Sequence, residues 1–183
     1  MSLLVKGGTV VGPTGIRVAD VLVEGEKIVA VLDPSFSPTI TVDEVLDASG
    51  KYVIPGGIDA HTHMELPFGG TAASDTFDTG TRAAAYGGTT TIIDFAVQRT
   101  GEVVQDGLAA WHAKADGECH IDYAFHMILG GVDADALKAM DQLVTDEGIT
   151  SFKLFMAYPG VFYSDDGAIL LSLIHISEPT RRS

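Results

Sequence analysis

The sequence predicts an α/β protein that begins with a short all-β segment. Residues 1 to about 53 consist of short extended runs separated by turn signals, and after Pro55-Gly56-Gly57 strand patterns alternate with helical ones. This alternation is typical of right-handed βαβ units and a parallel sheet. Part of an eight-stranded barrel and an open doubly wound sheet both fit the pattern. No Gly-x-Gly-x-x-Gly or P-loop sequence follows a strand, which disfavours a nucleotide-binding sheet.

The first segment is predicted to be a β meander. Gly12-Pro13-Thr14-Gly15 and Glu24-Gly25-Glu26 are typical tight turns, and the second joins the strands of a predicted hairpin. A looser loop is expected at residues 33–39. The predicted strands are residues 2–6, 9–11, 18–23, 28–32 and 44–47. A meander of about fifty residues is a weak domain alone, so we expect it to pack on another element.

The second segment is predicted to contain four strands and three connecting helices. Ser74-Asp75 is a candidate cap for the first helix, which Gly87-Gly88 ends after Tyr86, and Asp133 is a candidate cap for the third. The predicted strands are residues 58–63, 89–95, 121–129 and 149–156, and the second and third helices are residues 102–116 and 133–147.

The end of the chain departs from this pattern. Residues 171–183 do not fit a helical continuation, and Pro179 would end a helix. The segment is similar to translated adapter sequence, so we expect it to be foreign and assign no role to His175. A native frayed terminus is the alternative. The predicted organisation is therefore a β domain at 1–54, an α/β domain at 55–170 and a foreign tail at 171–183.

Composition excludes several classes of function. The net charge is −14 and no basic stripe exists, which argues against a nucleic-acid or anionic-membrane partner. Cys119 is the only cysteine, which excludes an internal disulfide and a thiolate zinc site. The N-terminus has no apolar run long enough for a signal peptide or a transmembrane helix, so a cytoplasmic protein is expected.

The strongest chemical signal is Asp59-Ala60-His61-Thr62-His63 at the end of a predicted strand. The two-residue period places His61 and His63 on one face, where both imidazoles can bind one metal ion. The carboxyl ends of parallel strands are also where such folds place active sites. Two polar residues that merely share a face are the alternative. Asp59 either orients a histidine or simply ends the strand.

Lys153 and Tyr158 are further candidates, near the last predicted strand. Lys153 is flanked by apolar residues. A buried ammonium must lower its pKa, pair with an anion or react. A neutral amine can form a carbamate with carbon dioxide. A lysine that reaches solvent is the alternative. Tyr158 can donate to an oxyanion or simply pack.

Asp94 is expected to end its strand, and His112, His120 and His126 lack ligand spacing and are interpreted as structural or exposed.

Several long motifs, in order, resemble the dihydropyrimidinase/D-hydantoinase group of the amidohydrolase superfamily. They cover residues 53–63, 67–71, 75–84, 87–95 and 151–158, and the resemblance extends over roughly residues 3 to 170. It implies a metal-dependent (β/α)8 TIM barrel, with about its first half present here, and an N-terminal piece of a small β-sandwich domain. Non-catalytic, oligomeric dihydropyrimidinase-like relatives tend to lose the metal histidines, whereas this chain retains His61, His63 and Lys153.

The resemblance also implies a mechanism. His61 and His63 would bind one of two divalent metals, usually zinc, carboxylated Lys153 would bridge both, and Tyr158 would polarise the substrate carbonyl. A hydroxide activated by both metals would then open the ring of a dihydropyrimidine or a 5-substituted hydantoin. The intact enzyme would be a homotetramer.

The family also requires two more histidines and an aspartate from later strands. We therefore expect this chain to be a fragment that is inactive alone. The sibling activities, allantoinase and dihydroorotase, remain alternatives, although Phe68 between Pro67 and Gly69 favours the dihydropyrimidinase group.

Overall fold

The computed structural model describes residues 1–35 and 41–177, with side chains described to residue 173. The chain forms two compact units, Met1–Gly56 and Gly57–Ser183. Of the predicted loop at 33–39, residues 36–39 lie outside the described part. Among the described residues, no helix is long and apolar enough to cross a membrane.

The first unit is a sheet centred on its first strand. Its strands are β1 (Ser2–Gly12), β2 (Gly15–Glu24), β3 (Lys27–Leu32), β4 (Glu44–Asp47) and β5 (Tyr52–Val53). β1 pairs antiparallel with β2 and parallel with β4 and β5. The runs predicted separately at 2–6 and 9–11 are one strand, because an irregularity between Val5 and Gly8 bends it without ending it. Gly7, with a φ of 72°, supplies the bend and donates its N–H to buried Asp20 at 2.7 Å.

The second unit contains a four-stranded parallel sheet, which confirms the predicted alternation. Its elements are β6 (Gly57–Thr62), β7 (Pro67–Phe68), β8 (Thr71–Ala72), α1 (Phe77–Tyr86), β9 (Thr89–Val97), α2 (Val104–Ala115), β10 (Asp122–Ile128), α3 (Ala134–Asp146), β11 (Phe152–Lys153) and α4 (Asp166–Ser177). The strand order is β11-β10-β9-β6, and the short β7–β8 hairpin forms a separate sheet. The carboxyl ends of all four strands therefore lie at the same end of the sheet, as a shared active site requires.

Helix capping matches the prediction at α3 and differs at α1. The Asp133 carboxylate accepts from the Ala136 N–H at 2.8 Å, as expected for an N-cap. The N-cap of α1 is Thr76 rather than Ser74 or Asp75, and Thr76 and Thr79 form a reciprocal capping box. Asp75 instead accepts from the Thr79 hydroxyl at 3.1 Å, so it supports the box from outside the helix.

Two predicted elements near the chain end are corrected. The strand expected at 149–156 is reduced to Phe152–Lys153, because β11 is the edge of the described sheet and pairs only with β10. The segment from 171 was expected not to be helical, but α4 continues through Ser177. Leu, Ile and Ser residues support helix well enough, and the first helix breaker, Pro179, comes only later. The foreign origin of 171–183 stays a prediction.

The core of the second unit lies between the sheet and its helices. Large side chains from both layers are almost fully buried: Phe77, Ile92, Met127, Ile128, Leu129 and Leu143. Burying each such side chain contributes about 1.5–3 kcal/mol, so this layer fixes the sheet that carries the candidate site.

Gly107 of α2 lies close to the backbone at the end of β9, and a larger residue there should destabilise the chain. A Cβ on Gly107 would lie 2.6 Å from the Val97 carbonyl oxygen and 3.1 Å from the Gln98 Cα. We expect Gly107→Ala to lower the free energy of unfolding by about 2 kcal/mol, although alanine favours a helix over glycine by about 1 kcal/mol. Urea denaturation measures the change. Gly131→Ala is the matched control, since no described atom lies within 4 Å of its Cβ position. Equal effects of the two substitutions would contradict the packing argument.

Candidate active site

His61 and His63 lie together at the carboxyl end of β6, as their spacing predicts. Their ring centroids are 5.1 Å apart in an edge-on arrangement. Both rings also contact Phe95 of the neighbouring strand β9, at centroid distances of 4.6 Å for His61 and 5.0 Å for His63. The two imidazoles therefore face the same side of the sheet.

Lys153 reaches the same aromatic ring from the opposite edge of the sheet. Its Nζ lies 4.3 Å from the Phe95 ring centroid and 4.8 Å from that of Phe155. His61, His63 and Lys153 thus converge on Phe95, although β11 and β6 are the two edge strands. The Lys153 side chain is half-buried, and its ammonium lies beside these two rings.

Burial changes the protonation chemistry of two of these groups. Burial, and next the charge of the Lys153 ammonium, lower the pKa of His63. Burial also lowers the pKa of Lys153. Both shifts favour the neutral, nucleophilic forms, because desolvation penalises a cation. The Nδ1 of His63 is buried and has no hydrogen-bond partner among the described residues.

An open cavity of about 440 Å³ lies beside these groups. It is lined by Ala60, His61, Phe95, His126, Ser151, Phe152, Lys153 and Leu154. His126 is the residue that sequence reasoning missed. It was interpreted as structural or exposed for lack of ligand spacing, but its ring lies 4.8 Å from that of Phe95. The available signal was its place near the end of a predicted strand, where inward-facing side chains reach the site.

Asp94 does more than end a strand, which corrects the prediction. β9 continues to Val97, and Asp94 is fully buried within it. Its carboxylate accepts from the Thr62 hydroxyl at 2.9 Å, the Met64 N–H at 2.8 Å and the Phe95 N–H at 2.7 Å. The Trp111 indole N–H lies 3.4 Å from the same group. Asp94 therefore anchors both neighbours of His63, Thr62 through its side chain and Met64 through its backbone.

Asp59 interacts with the backbone of the histidine segment. Its carboxylate accepts from the His61 N–H at 3.1 Å. The bond involves the main chain of His61 and not its imidazole, and Asp59 lies within β6, so Asp59 does not end the strand.

Tyr158 belongs to a neighbouring aromatic cluster. Its ring lies 5.0 Å from Phe68 and 5.8 Å from Phe155, which in turn stacks on Phe162 at 5.2 Å. Its φ is 65°, a left-handed conformation that is unusual for tyrosine. The Tyr158 carbonyl accepts from three following N–H groups at 3.1 to 3.3 Å, which stabilises this strained turn.

The described residues contain no group of three or more His, Cys, Asp or Glu side chains that could hold a metal ion. The convergence at Phe95 consists of two histidines and one lysine. A metal centre at this position would therefore depend on Lys153 or on residues outside the described part of the chain.

The chain belongs to the amidohydrolase family, whose model matches residues 52–158. It is 58% identical over 178 residues to a D-hydantoinase of Streptomyces coelicolor, an alignment covering 96% of this chain and 38% of that protein. It is 46% identical over 181 residues to a D-hydantoinase of Geobacillus stearothermophilus, covering 97% of this chain and 37% of the relative. The chain thus spans well under half the length of these relatives.

The structural comparison agrees with the sequence comparison. The crystal structure of a dihydropyrimidinase from Brevibacillus agri superposes with a TM-score of 0.92 at 46% identity, covering 97% of this chain and 38% of that one. The predicted fold class is confirmed: about the first half of an amidohydrolase (β/α)8 barrel, with a piece of a β-sandwich. Membership of this family implies dependence on a divalent metal.

Proposed function

We propose that the whole protein, to which this chain contributes the first four barrel strands, hydrolyses the cyclic amide bond of dihydropyrimidines or 5-substituted hydantoins. The observation that carries the proposal is the convergence of His61, His63 and Lys153 on Phe95 at the carboxyl edge of the sheet. Similarity to D-hydantoinases and to a dihydropyrimidinase over nearly the whole chain supports this substrate class.

His61 and His63 would bind one of two metals, which we propose to be zinc. The buried, unpartnered Nδ1 of His63 fits a ligand, because a buried polar atom without a partner is costly unless something binds it. Its lowered pKa favours the neutral imidazole that metals require. A metal pair bound there supplies Lewis acidity and lowers the pKa of water.

Lys153 would be carboxylated. Its lowered pKa raises the fraction of neutral amine, whose nitrogen forms a bond to the carbon of CO2 while a proton leaves to solvent. The resulting carbamate is an anion with two oxygens. It would therefore add two oxygen ligands beside the histidine pair, where the described carboxylates do not reach.

Tyr158 would donate its phenol O–H to the oxyanion that develops on the substrate carbonyl. The strained turn at Tyr158 and the rings of Phe68 and Phe155 support a fixed orientation for this donor. The substrate is a small molecule, and a homotetramer in the cytoplasm remains the expectation for the intact enzyme.

A chimera tests the function directly. Residues 1–170 of this chain are joined to the remainder of the Streptomyces coelicolor D-hydantoinase, loaded with zinc and assayed for ring opening of dihydrouracil and of a 5-substituted hydantoin. We expect turnover by the chimera and only blank rates for the 183-residue chain. Tyr158→Phe in the chimera should lower kcat by about 100-fold to 1000-fold.

The outcomes separate the alternatives. A folded, zinc-loaded chimera that opens allantoin or dihydroorotate but not dihydrouracil or hydantoin would favour a sibling cyclic amidohydrolase. A chimera that folds and assembles but opens none of these rings would favour a non-catalytic relative. Turnover by the 183-residue chain alone would contradict its expected inactivity.

A further inference from the structure

His126 makes two hydrogen bonds that connect distant parts of the candidate site. Its Nε2 lies 3.0 Å from the carbonyl oxygen of Ala60, which precedes His61. Its Nδ1 is hydrogen-bonded to the hydroxyl of Ser151, two residues before Lys153. One imidazole on β10 thus contacts both segments that carry the proposed metal ligands.

The chemistry of these partners assigns the tautomer. A carbonyl oxygen only accepts, so Nε2 must carry the proton and donate it to Ala60. In the neutral imidazole Nδ1 then accepts, and the Ser151 hydroxyl donates to it. This arrangement uses both ring nitrogens, so His126 is not free to act as a metal ligand in this geometry.

An irregularity in β6 explains why Ala60 needs this partner. The register pairs Asp59 with Ile92 and Thr62 with Asp94. An advance of three residues along β6 therefore matches an advance of two residues along β9. Such an irregularity leaves a residue outside the ladder and redirects nearby side chains. Ala60 lies inside it, and its carbonyl is satisfied by His126.

The bond to Ala60 also spans an intervening strand. β9 separates β6 from β10, and strands in a sheet are about 4.8 Å apart. The His126 ring lies against the ring of Phe95, which is the residue paired with His126 in the register of β9 and β10. The imidazole therefore connects β6 to the residue that precedes β11, on the side of the sheet where His61, His63 and Lys153 meet.

We propose that His126 is a positioning residue that couples the irregular His61 segment to the Lys153 segment. The inference rests on the proposed metal site for its functional meaning. Its structural content, an imidazole whose Nε2–H donates to Ala60 and whose Nδ1 is bonded to Ser151, stands independently of any metal. Loss of the bridge lets the two ligand segments move apart, which weakens metal binding without removing a ligand.

The test uses the 15N-labelled 183-residue chain, first without metal. Ring nitrogen shifts should identify the Nε2–H tautomer of His126. His126→Phe should shift the amide resonances of both Ala60–His61 and Ser151–Lys153, whereas the matched control His112→Phe, on α2 outside the cavity lining, should shift neither. An Nδ1–H tautomer, or shifts confined to one segment, would overturn the proposal.

Zinc competition against a chelator, measured on the chimera, is the second measurement. We expect His126→Phe to weaken zinc binding by about 10-fold to 100-fold. His126→Gln, whose amide N–H can restore the bond to Ala60, should recover most of that affinity, and Ser151→Ala should cause a smaller loss. Wild-type affinity in His126→Phe, or no recovery in His126→Gln, would overturn the positioning role.

The two proposals fail separately. If the wild-type chimera binds no zinc, the proposed metal site fails, while the tautomer and the paired amide shifts of the 183-residue chain still decide whether His126 forms the bridge. If His126→Phe does not fold, Ser151→Ala removes only the hydroxyl and decides the coupling through the amide shifts of Ala60–His61. Shifts there support the bridge, and their absence overturns it.

Discussion

Replacing His63 by alanine in the zinc-loaded chimera should weaken metal binding by more than about 100-fold and abolish ring opening. Even residues that only orient a ligand cost about 10-fold to 100-fold in metal affinity, so loss of a ligand should cost more. His63 is the more buried histidine and carries the unpartnered Nδ1. Bound zinc is measured after dialysis against a chelator, and hydrolysis is measured on the same samples.

His112→Ala is the matched control for this prediction, because His112 lies on α2 and pairs with Asp116 at 3.5 Å. Lys153→Arg separates a carbamate from a simple lysine contact: arginine keeps the positive charge but does not form a carbamate at neutral pH. With 13C-bicarbonate, the parent chimera should show one carbamate carbon that the Lys153→Arg variant lacks. Full zinc retention by His63→Ala would refute the ligand assignment.

Replacing Asp94 by asparagine should lower the free energy of unfolding of the 183-residue chain by about 3 kcal/mol. The buried carboxylate faces the Thr62 hydroxyl and the N–H groups of Met64, Phe95 and Trp111. All four are donors, so an amide NH2 in place of one oxygen points a further donor at donors and leaves buried groups unsatisfied.

Urea denaturation of the two variants measures this cost. The matched control is Asp135→Asn, since the Asp135 side chain is 91% exposed and should change stability by less than about 0.5 kcal/mol. A stability of Asp94→Asn within the same margin would show that the network contributes little. Because Met64 follows His63 directly, we also expect the substitution to loosen the histidine segment.

Much of the local structure could be predicted because it depends on neighbours in sequence. The Asp133 cap, the β-branched run of β9 and the glycine stops around the first helix are short-range signals. The errors occurred where a distant partner decides, as at β11, or where the exact geometry of a turn decides, as at the cap of α1. The edge strand β11 is short because it has a neighbour on one side only. The choice of Thr76 over Ser74 or Asp75 as the cap of α1 depended on which backbone N–H groups the turn aims at each side chain.

The candidate site divides in the same way. The two-residue spacing of His61 and His63 determined that both imidazoles share a face, and the apolar flanks of Lys153 determined that its ammonium would be poorly solvated. Both conclusions need only strand geometry and side-chain chemistry. The sequence by itself therefore determined the residue types available for metal binding and the strand ends that carry them.

Only the tertiary structure decided how these groups are held. Asp94 is hydrogen-bonded to Thr62, 32 residues away in sequence, and His126 is hydrogen-bonded to Ala60, 66 residues away. Neither pair leaves a periodic signal, because such contacts depend on strand order, register and the irregularity in β6. Strand periodicity specifies which way a side chain points, whereas the register of the folded sheet specifies which atoms it reaches.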